Sequence, residues 1–331
     1  MGDVILSTPV LTAIRQSFAG AFTAMLVRPY SQEVVAGHPD LNVVILDDET
    51  GAYRGVAGIV KLAQKLKSFR FDVALILHPS FRLALICRLA GIPIRVGTKY
   101  RAYSWLFNRR VPVHRKRSGL HEADLNLALA ASVGATLDSV QFKFHIPAEA
   151  RRRVSELLHR KGIDRTQKFV VIHPGSGGSA RDWPPEKFAR LVGLLQNEAG
   201  MPVVLTGSAA EGQLVDWIAS ESGTEPIRME GLLNIKELAA LLQKSSLVIA
   251  NSTGPLHLAV AVGTEVIGLY YPLLPFAPSR WGPYNRPDSV ITPPEQACRE
   301  MKKNAKDGNC MSLISVKDVY AMAMKKLAIP H

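Results

Sequence analysis

A chain of 331 residues with 47% hydrophobic and 21% charged content has room for two domains of roughly 150 residues, each with its own core, and is not a disordered or low-complexity protein. Its formal net charge of +12 favours anionic partners (nucleic acid, a phosphorylated substrate or an anionic membrane surface) unless it serves solubility alone. The cysteines Cys87, Cys298 and Cys310 make an odd count with no tight pair, which argues against a disulfide framework or a zinc site and fits a reducing cytoplasm.

No apolar run reaches the roughly 18 residues of a membrane span. The start, M-G-D-V-I-L-S-T-P-V, lacks the charged and apolar regions of a signal peptide.

In chain order, short β-branched runs alternate with amphipathic stretches, the pattern of parallel α/β units. In the first half, strands are expected at 22–27, 43–46, 73–77 and 95–97, and helices at 9–18, 55–68, 81–90 and 120–133. A join follows near 147–167, partly helical and rich in arginine. In the second half, strands are expected at 169–173, 203–206, 247–250 and 266–270, with helices at 185–198, 210–222, 235–243 and 255–262 and a last helix at 316–327. Each half reads as a small doubly wound sheet, which binds ligands at the carboxyl ends of its strands. The chain opens on Gly2-Asp3 and a helix, with no strand before them.

Five stretches carry candidate chemistry. At 2–9, G-D-V-I-L-S-T-P, Ser7 or Thr8 can cap a helix with Pro9 at its first position. Asp3, just ahead, is either a base for an acceptor hydroxyl or an exposed carboxylate at a chain end. At 170–184, a strand runs into the Gly/Ser loop H-P-G-S-G-G-S-A-R-D-W-P. Glycine-freed N–H groups, Ser176 and the following helix N-terminus suit a phosphate, and Arg181 can grip a diphosphate. The alternative is an ordinary βα loop; neither a G-K-[ST] phosphate loop nor a G-x-G-x-x-G fingerprint is present.

The turn A-N-S-T-G-P-L-H at 250–257 is a second anion site, built from Ser252, Thr253 and Gly254. His257 on its first helical turn is either a donor to a phosphate or sugar oxygen or a structural histidine. The aromatic, proline-rich stretch at 270–283 suits a base or ribose, or is a rigid surface loop. Segment 99–117 holds seven cations (Lys99, Arg101, Arg109, Arg110, Arg115, Lys116 and Arg117) and no acid, interleaved with aromatics. It fits an anionic acceptor, a lipid headgroup layer or single-stranded nucleic acid, or is a solvated loop.

Together these stretches resemble glycosyltransferase family 9, the ADP-heptose:lipopolysaccharide heptosyltransferases, over nearly the whole chain. The resemblance rests on G-D-V-I-L-S-T-P at 2–9, H-P-D-L at 38–41, F-D-V-A-L-I-L at 71–77, R-V-G at 95–97, H-E-A-D-L-N at 121–126, H-P-G-S-G with W-P at 173–184, and N-S-T-G-P-L-H-L at 251–258. It implies a GT-B fold: two facing Rossmann-like domains with parallel sheets, here without the strand that precedes Gly-Asp in the family. The expected parts are an acceptor domain over 1–150, a nucleotide-sugar domain over 166–311 and a C-terminal helix over 312–331.

The implied reaction is an inverting, metal-independent transfer of heptose or a related sugar, needing no cofactor, from a nucleotide-diphosphate sugar such as ADP-heptose to a lipopolysaccharide core or lipid-linked acceptor. Asp3 is the implied catalytic base. Ser176, Arg181, Ser252, Thr253, Gly254 and His257 are the implied diphosphate contacts, and Lys99, Arg101 and Arg117 the acceptor contacts. Many members carry Asp where this chain has Ser252, which leaves the donor sugar open. The expected setting is the cytoplasm of a bacterium, at the inner face of the inner membrane, with no nucleic-acid partner. A nucleotide-sugar epimerase of similar two-domain architecture and an inactive, truncated family member are the alternatives.

Overall fold

The computed structural model describes residues 1–115, 117–304 and 309–328. Two compact units divide the chain, one spanning Asp3–His145 and the other Ile146–His331.

The first unit begins with the one-turn helix α1 (Gly2–Ile5) and α2 (Thr8–Ser17), followed by β1 (Ala24–Val27), α3 (Gln32–Val35) and β2 (Val43–Leu46). It continues through α4 (Gly55–Ser68), β3 (Val73–Leu75), α5 (Phe81–Leu89), β4 (Ile94–Thr98), β5 (Arg109–Val111) and α6 (Glu122–Ala131). All strand pairs are parallel, but they form two sheets, β1-β2 and β3-β4-β5. Helices α4 and α5 cover one face through Leu62, Leu66, Ala84 and Ile86, which meet Ile45 and Ile76. On the other face, Val10 and Ala13 of α2 and Ala130 of α6 pack with Leu75 and Leu77.

The second unit runs α7 (Ala148–Arg160), β6 (Val170–His173), α8 (Pro185–Asn197), β7 (Val203–Leu205), α9 (Gly212–Glu221), β8 (Ile227–Arg228) and α10 (Ile235–Lys244). It closes with β9 (Leu247–Asn251), α11 (Gly254–Ala261), β10 (Val266–Leu269), α12 (Pro278–Trp281), β11 (Val290–Ile291), α13 (Glu295–Asn304) and α14 (Val316–Leu327). Its six strands form one sheet, ordered β11-β10-β9-β6-β7-β8, in which every pair is parallel. Strand side chains alternate between faces. Val170, Ile172, Val203, Leu205, Leu247 and Ile249 therefore share one core with α8, α9 and α14. On the opposite face α10 packs against α7 and α11.

The fold is thus α/β with parallel sheets, as the alternation of elements predicts. Segment 99–117 departs from a continuous loop. Arg109 and Arg110 lie in β5, paired with Val96 and Gly97 of β4. Arg109 donates to the Ser132 carbonyl, and Arg115 pairs with Glu122. Lys116 lies outside the described residues.

The join is partly helical, as its sequence reads: α7 spans most of it and is tied to α10 by the Arg153–Glu237 ion pair at 2.7 Å. The cysteines give a further correction: Cys298 and Cys310 form a disulfide. Their separation of 12 in sequence hides a pairing that the turn between α13 and α14 creates. Only Cys87 is a free thiol, and burial pushes it up to about 11.

Candidate active site

Strand order locates the site in the second unit. Chain order reverses between β6, whose other neighbour is β7, and β9, whose other neighbour is β10. Loops leaving adjacent strands at such a switch point diverge and open a crevice at their carboxyl ends. Those loops are 174–184, after β6, and 252–253, after β9, the two stretches the sequence marks as anion sites.

Asn251, the last residue of β9 and fully buried, joins the loops. Its Nδ2 donates to the Pro174 carbonyl at 2.6 Å and to Asp182 Oδ1 at 3.2 Å, while its Oδ1 accepts from the Trp183 N–H at 3.0 Å. Trp183 is anchored in turn: its indole Nε1 donates to the Ile314 carbonyl at 3.1 Å, and its ring meets Phe188 edge-on. The start and the end of the Gly/Ser loop are therefore fixed. Between them, Gly177 and Gly178 take positive φ values of 56° and 79°, a conformation that costs other residues about 1 kcal/mol or more.

The side chains at this crevice suit an anion. Thr253 Oγ1 is buried and lacks a hydrogen-bond partner among the described residues, while the Ser176 hydroxyl is shared with the Asp182 carboxyl. An orphaned hydroxyl such as that of Thr253 costs free energy and marks a place where a ligand supplies the partner. Thr253 is the N-cap of α11, yet its side chain makes no capping bond. It remains available beside the positive end of the helix.

Gly254 opens α11, and His257 on the next turn is buried, with its ring 6.5 Å from that of Trp281. Ser252 is half-buried and its backbone N–H donates to the Leu269 carbonyl at 3.2 Å. The Arg181 guanidinium lies over the Tyr271 ring, 4.9 Å from its centroid. That stacking holds the fork at the carboxyl end of β10 without neutralising it.

Acidic groups brace the loop from the β7 side. Glu211 accepts from the Ser208 N–H at 2.7 Å and the Ser208 hydroxyl at 2.9 Å. Burial alone would raise its carboxyl; the Ser208 bonds, the His173 ring and the Gly177 N–H outweigh burial and hold it low. A Cβ at Gly175 would push this carboxylate out of its place. Burial drives the His173 imidazole down to about 4 against the opposing pull of Glu211, and its Nδ1 lies 3.0 Å from the Thr206 hydroxyl. Burial raises Asp182, a hydrogen bond from the Ser176 hydroxyl opposes it, and the Glu211 charge adds to the rise.

In the first unit, Asp3 sits exposed on α1. The capping expectation for Ser7 and Thr8 is corrected. The Ser7 side chain makes no cap bond to α2; it donates to the Asp3 carbonyl at 2.7 Å, and Thr8 donates to the Ile5 carbonyl at 2.8 Å. Lys99, Arg101 and Arg117 are exposed, with Lys99 over the Tyr100 ring. Arg115 is buried in an ion pair and is not part of an open basic surface. In the aromatic stretch, Tyr270 is fully buried and its hydroxyl donates to the Trp281 carbonyl at 2.8 Å. It braces the loop from below.

Sequence reasoning gave no role to Asn251, Asp182, Glu211 or His173, although Asn251 lies inside N-S-T-G and His173 and Asp182 lie inside the Gly/Ser loop motif; Glu211 carried no local signal.

The family model for glycosyltransferase family 9 (heptosyltransferase) matches residues 59–310, most of the chain and all of the crevice. The chain belongs to glycosyltransferase family 9. This member is 27% identical over 345 residues to the lipopolysaccharide core heptosyltransferase OpsX of Haemophilus influenzae, covering 99% of this chain and 94% of the relative. It is 26% identical to lipopolysaccharide heptosyltransferase 3 of Escherichia coli over 81% of this chain and 79% of that one.

Among solved structures, the family 9 glycosyltransferase of Veillonella parvula superposes with a TM-score of 0.85 at 24% identity, over 99% of this chain and 94% of that chain. The E. coli ADP-heptose lps heptosyltransferase II gives 0.77 at 19%, over 99% and 96%. The family 9 member is a glycosyltransferase with the GT-B fold of these neighbours.

Proposed function

We propose that this enzyme transfers a heptose from ADP-heptose to a lipopolysaccharide core or lipid-linked acceptor, with inversion at the anomeric carbon. The observation that carries the reading is the buried, unpartnered Thr253 hydroxyl at the start of α11, beside the Gly/Ser loop at the switch point of the second sheet. The names of relatives supply the sugar: OpsX and heptosyltransferase 3 are lipopolysaccharide heptosyltransferases, and a related E. coli structure is named as heptosyltransferase WaaC with ADP.

In this reading, 166–311 is the nucleotide-sugar domain, followed by the C-terminal segment that carries α14, Val316–Leu327. Ser176, Ser252, Thr253 and the Gly254 N–H hold the diphosphate, Arg181 neutralises its developing charge, and His257 donates to a phosphate or sugar oxygen. Residues 1–150 form the acceptor domain. Asp3 takes the proton of the attacking hydroxyl as that oxygen bonds to the anomeric carbon, and the bond to the nucleoside diphosphate breaks. Charge stabilisation falls to Arg181 and the α11 N-terminus, without a cofactor. Lys99, Arg101 and Arg117 attract the anionic acceptor, and the same basic face touches the inner leaflet of the inner membrane from the cytoplasm.

The test is ADP release from ADP-heptose with and without a heptose-deficient lipopolysaccharide acceptor. Acceptor-dependent release with an inverted product anomer supports the reading. Release or epimerisation of the donor without acceptor contradicts it.

A further inference from the structure

A buried polar chain runs beneath Asp3, and the transfer chemistry described above does not use it. Arg115 Nη2 donates to Asn126 Oδ1 at 2.9 Å and to the Leu77 carbonyl at 2.5 Å, while its Nη1 pairs with Glu122. With its carbonyl oxygen turned to Arg115, the Asn126 amide directs its N–H groups the other way. Nδ2 donates to Ser7 Oγ at 3.2 Å and to the Leu6 carbonyl at 3.3 Å. Ser7 Oγ then donates to the Asp3 carbonyl at 2.7 Å. Asn126 is 1% exposed, Glu122 6% and Ser7 7%.

Two features make this more than a satisfied core. First, α1 is a single turn, and one turn of helix has no stability of its own. The position of Asp3 therefore depends on what holds the turn. Second, Ser7 occupies the N-cap of α2 but gives α2 no side-chain cap, although a capping serine is ordinarily worth about 1 kcal/mol. Its hydroxyl is committed to the Asp3 backbone instead. At the far end, Arg115 belongs to the basic segment between His114 and Arg117, so one asparagine joins that segment to the turn carrying Asp3.

We propose that Asn126 is a positioning residue for sugar transfer, holding the α1 turn and Asp3 in register with the basic acceptor segment through Ser7 on one side and Arg115 on the other. The proposal rests on the reading of Asp3 as the base. A base displaced by about an ångström loses on the order of tenfold to a hundredfold in rate without loss of substrate binding.

The experiment compares Asn126→Asp, which keeps the acceptor for Arg115 but loses both N–H donors, with Ser7→Ala, Ser7→Thr and Asp3→Asn in the full chain. Single-turnover rates with ADP-heptose and acceptor are normalised to the folded fraction, read from urea unfolding followed by circular dichroism. The expected result is a rate about tenfold or more lower in Asn126→Asp and Ser7→Ala, donor KM within about twofold of wild type, and recovery in Ser7→Thr, which restores the hydroxyl. Because Asn126 acts through Asp3, adding Asn126→Asp to Asp3→Asn brings no further loss.

A wild-type rate in Ser7→Ala and Asn126→Asp, a loss that only follows the folded fraction, or full additivity with Asp3→Asn overturns the proposal. Asp3→Asn reports on the underlying reading separately. If it alone is inactive, the base stands and the positioning role falls; if it is fully active, both fall.

Discussion

Asn251 and Trp183 are joined by a 3.0 Å hydrogen bond from the Trp183 backbone N–H to the Asn251 side chain, and that bond sets where the Gly/Ser loop ends. The same side chain holds the Pro174 carbonyl where the loop begins. One fully buried residue on the central sheet thus shapes the crevice between β6 and β9.

Replacing Asn251 with alanine leaves both backbone groups unpaired in a water-free interior. Each such group costs about 1–3 kcal/mol. Asn251→Ala is therefore expected to lose roughly 3 kcal/mol in urea unfolding and to bind ADP poorly. A variant within about 0.5 kcal/mol of wild type, inside the range of neutral surface changes, would show that the clamp is not structural.

Arg181 is stacked on Tyr271 but makes no ion pair among the described residues. Its charge is available to a leaving group. Removing one such electrostatic donor costs about 2.7–4 kcal/mol of barrier. Arg181→Ala should lower turnover by about two to three orders of magnitude, measured at saturating donor and acceptor. A drop of less than about fivefold removes Arg181 from the stabilisation of the leaving diphosphate.

Legibility followed distance along the chain. The alternating apolar runs of the second half marked β6, β7, β9 and β10 to within about one residue, because each is a short β-branched stretch bounded by polar turns. β5 was hidden: Arg109 and Arg110 stand in a basic stretch with no strand pattern of its own, and only pairing with β4 makes them a strand. The two anion turns were legible because glycine, serine and helix-start signals are local. The Asn251 clamp, the Glu211 brace across from β7 and the Cys298–Cys310 bond were not, since each is created by loops that meet only after the sheet assembles.

The Thr253 hydroxyl is buried without a partner. Thr253→Val keeps the shape and removes the orphan. The empty protein should be as stable as wild type or slightly more so, while ADP binds about tenfold more weakly, the equivalent of about 1.4 kcal/mol. Unchanged ADP affinity in the valine variant would show that this hydroxyl does not meet the phosphate.

Burial lowers His173 from 6.5 to about 4. Above about 6.5 the imidazole is neutral in the folded and the unfolded chain. Between about 6.5 and about 4 the unfolded chain takes up the proton first, so stability falls as pH falls through that window. Urea midpoints measured across it should decline more steeply for wild type than for His173→Gln, which has no such proton to bind. Parallel declines would mean that His173 is not the group responsible.

Calorimetric titration of the folded enzyme with ADP addresses the anion crevice directly, since it needs neither acceptor nor sugar. Saturable binding at one site is expected, weakened about tenfold or more in Arg181→Ala and in Thr253→Val. Absence of binding at millimolar ADP, or affinity that both substitutions leave unchanged, would contradict the assignment of the β6–β9 crevice as the nucleotide site.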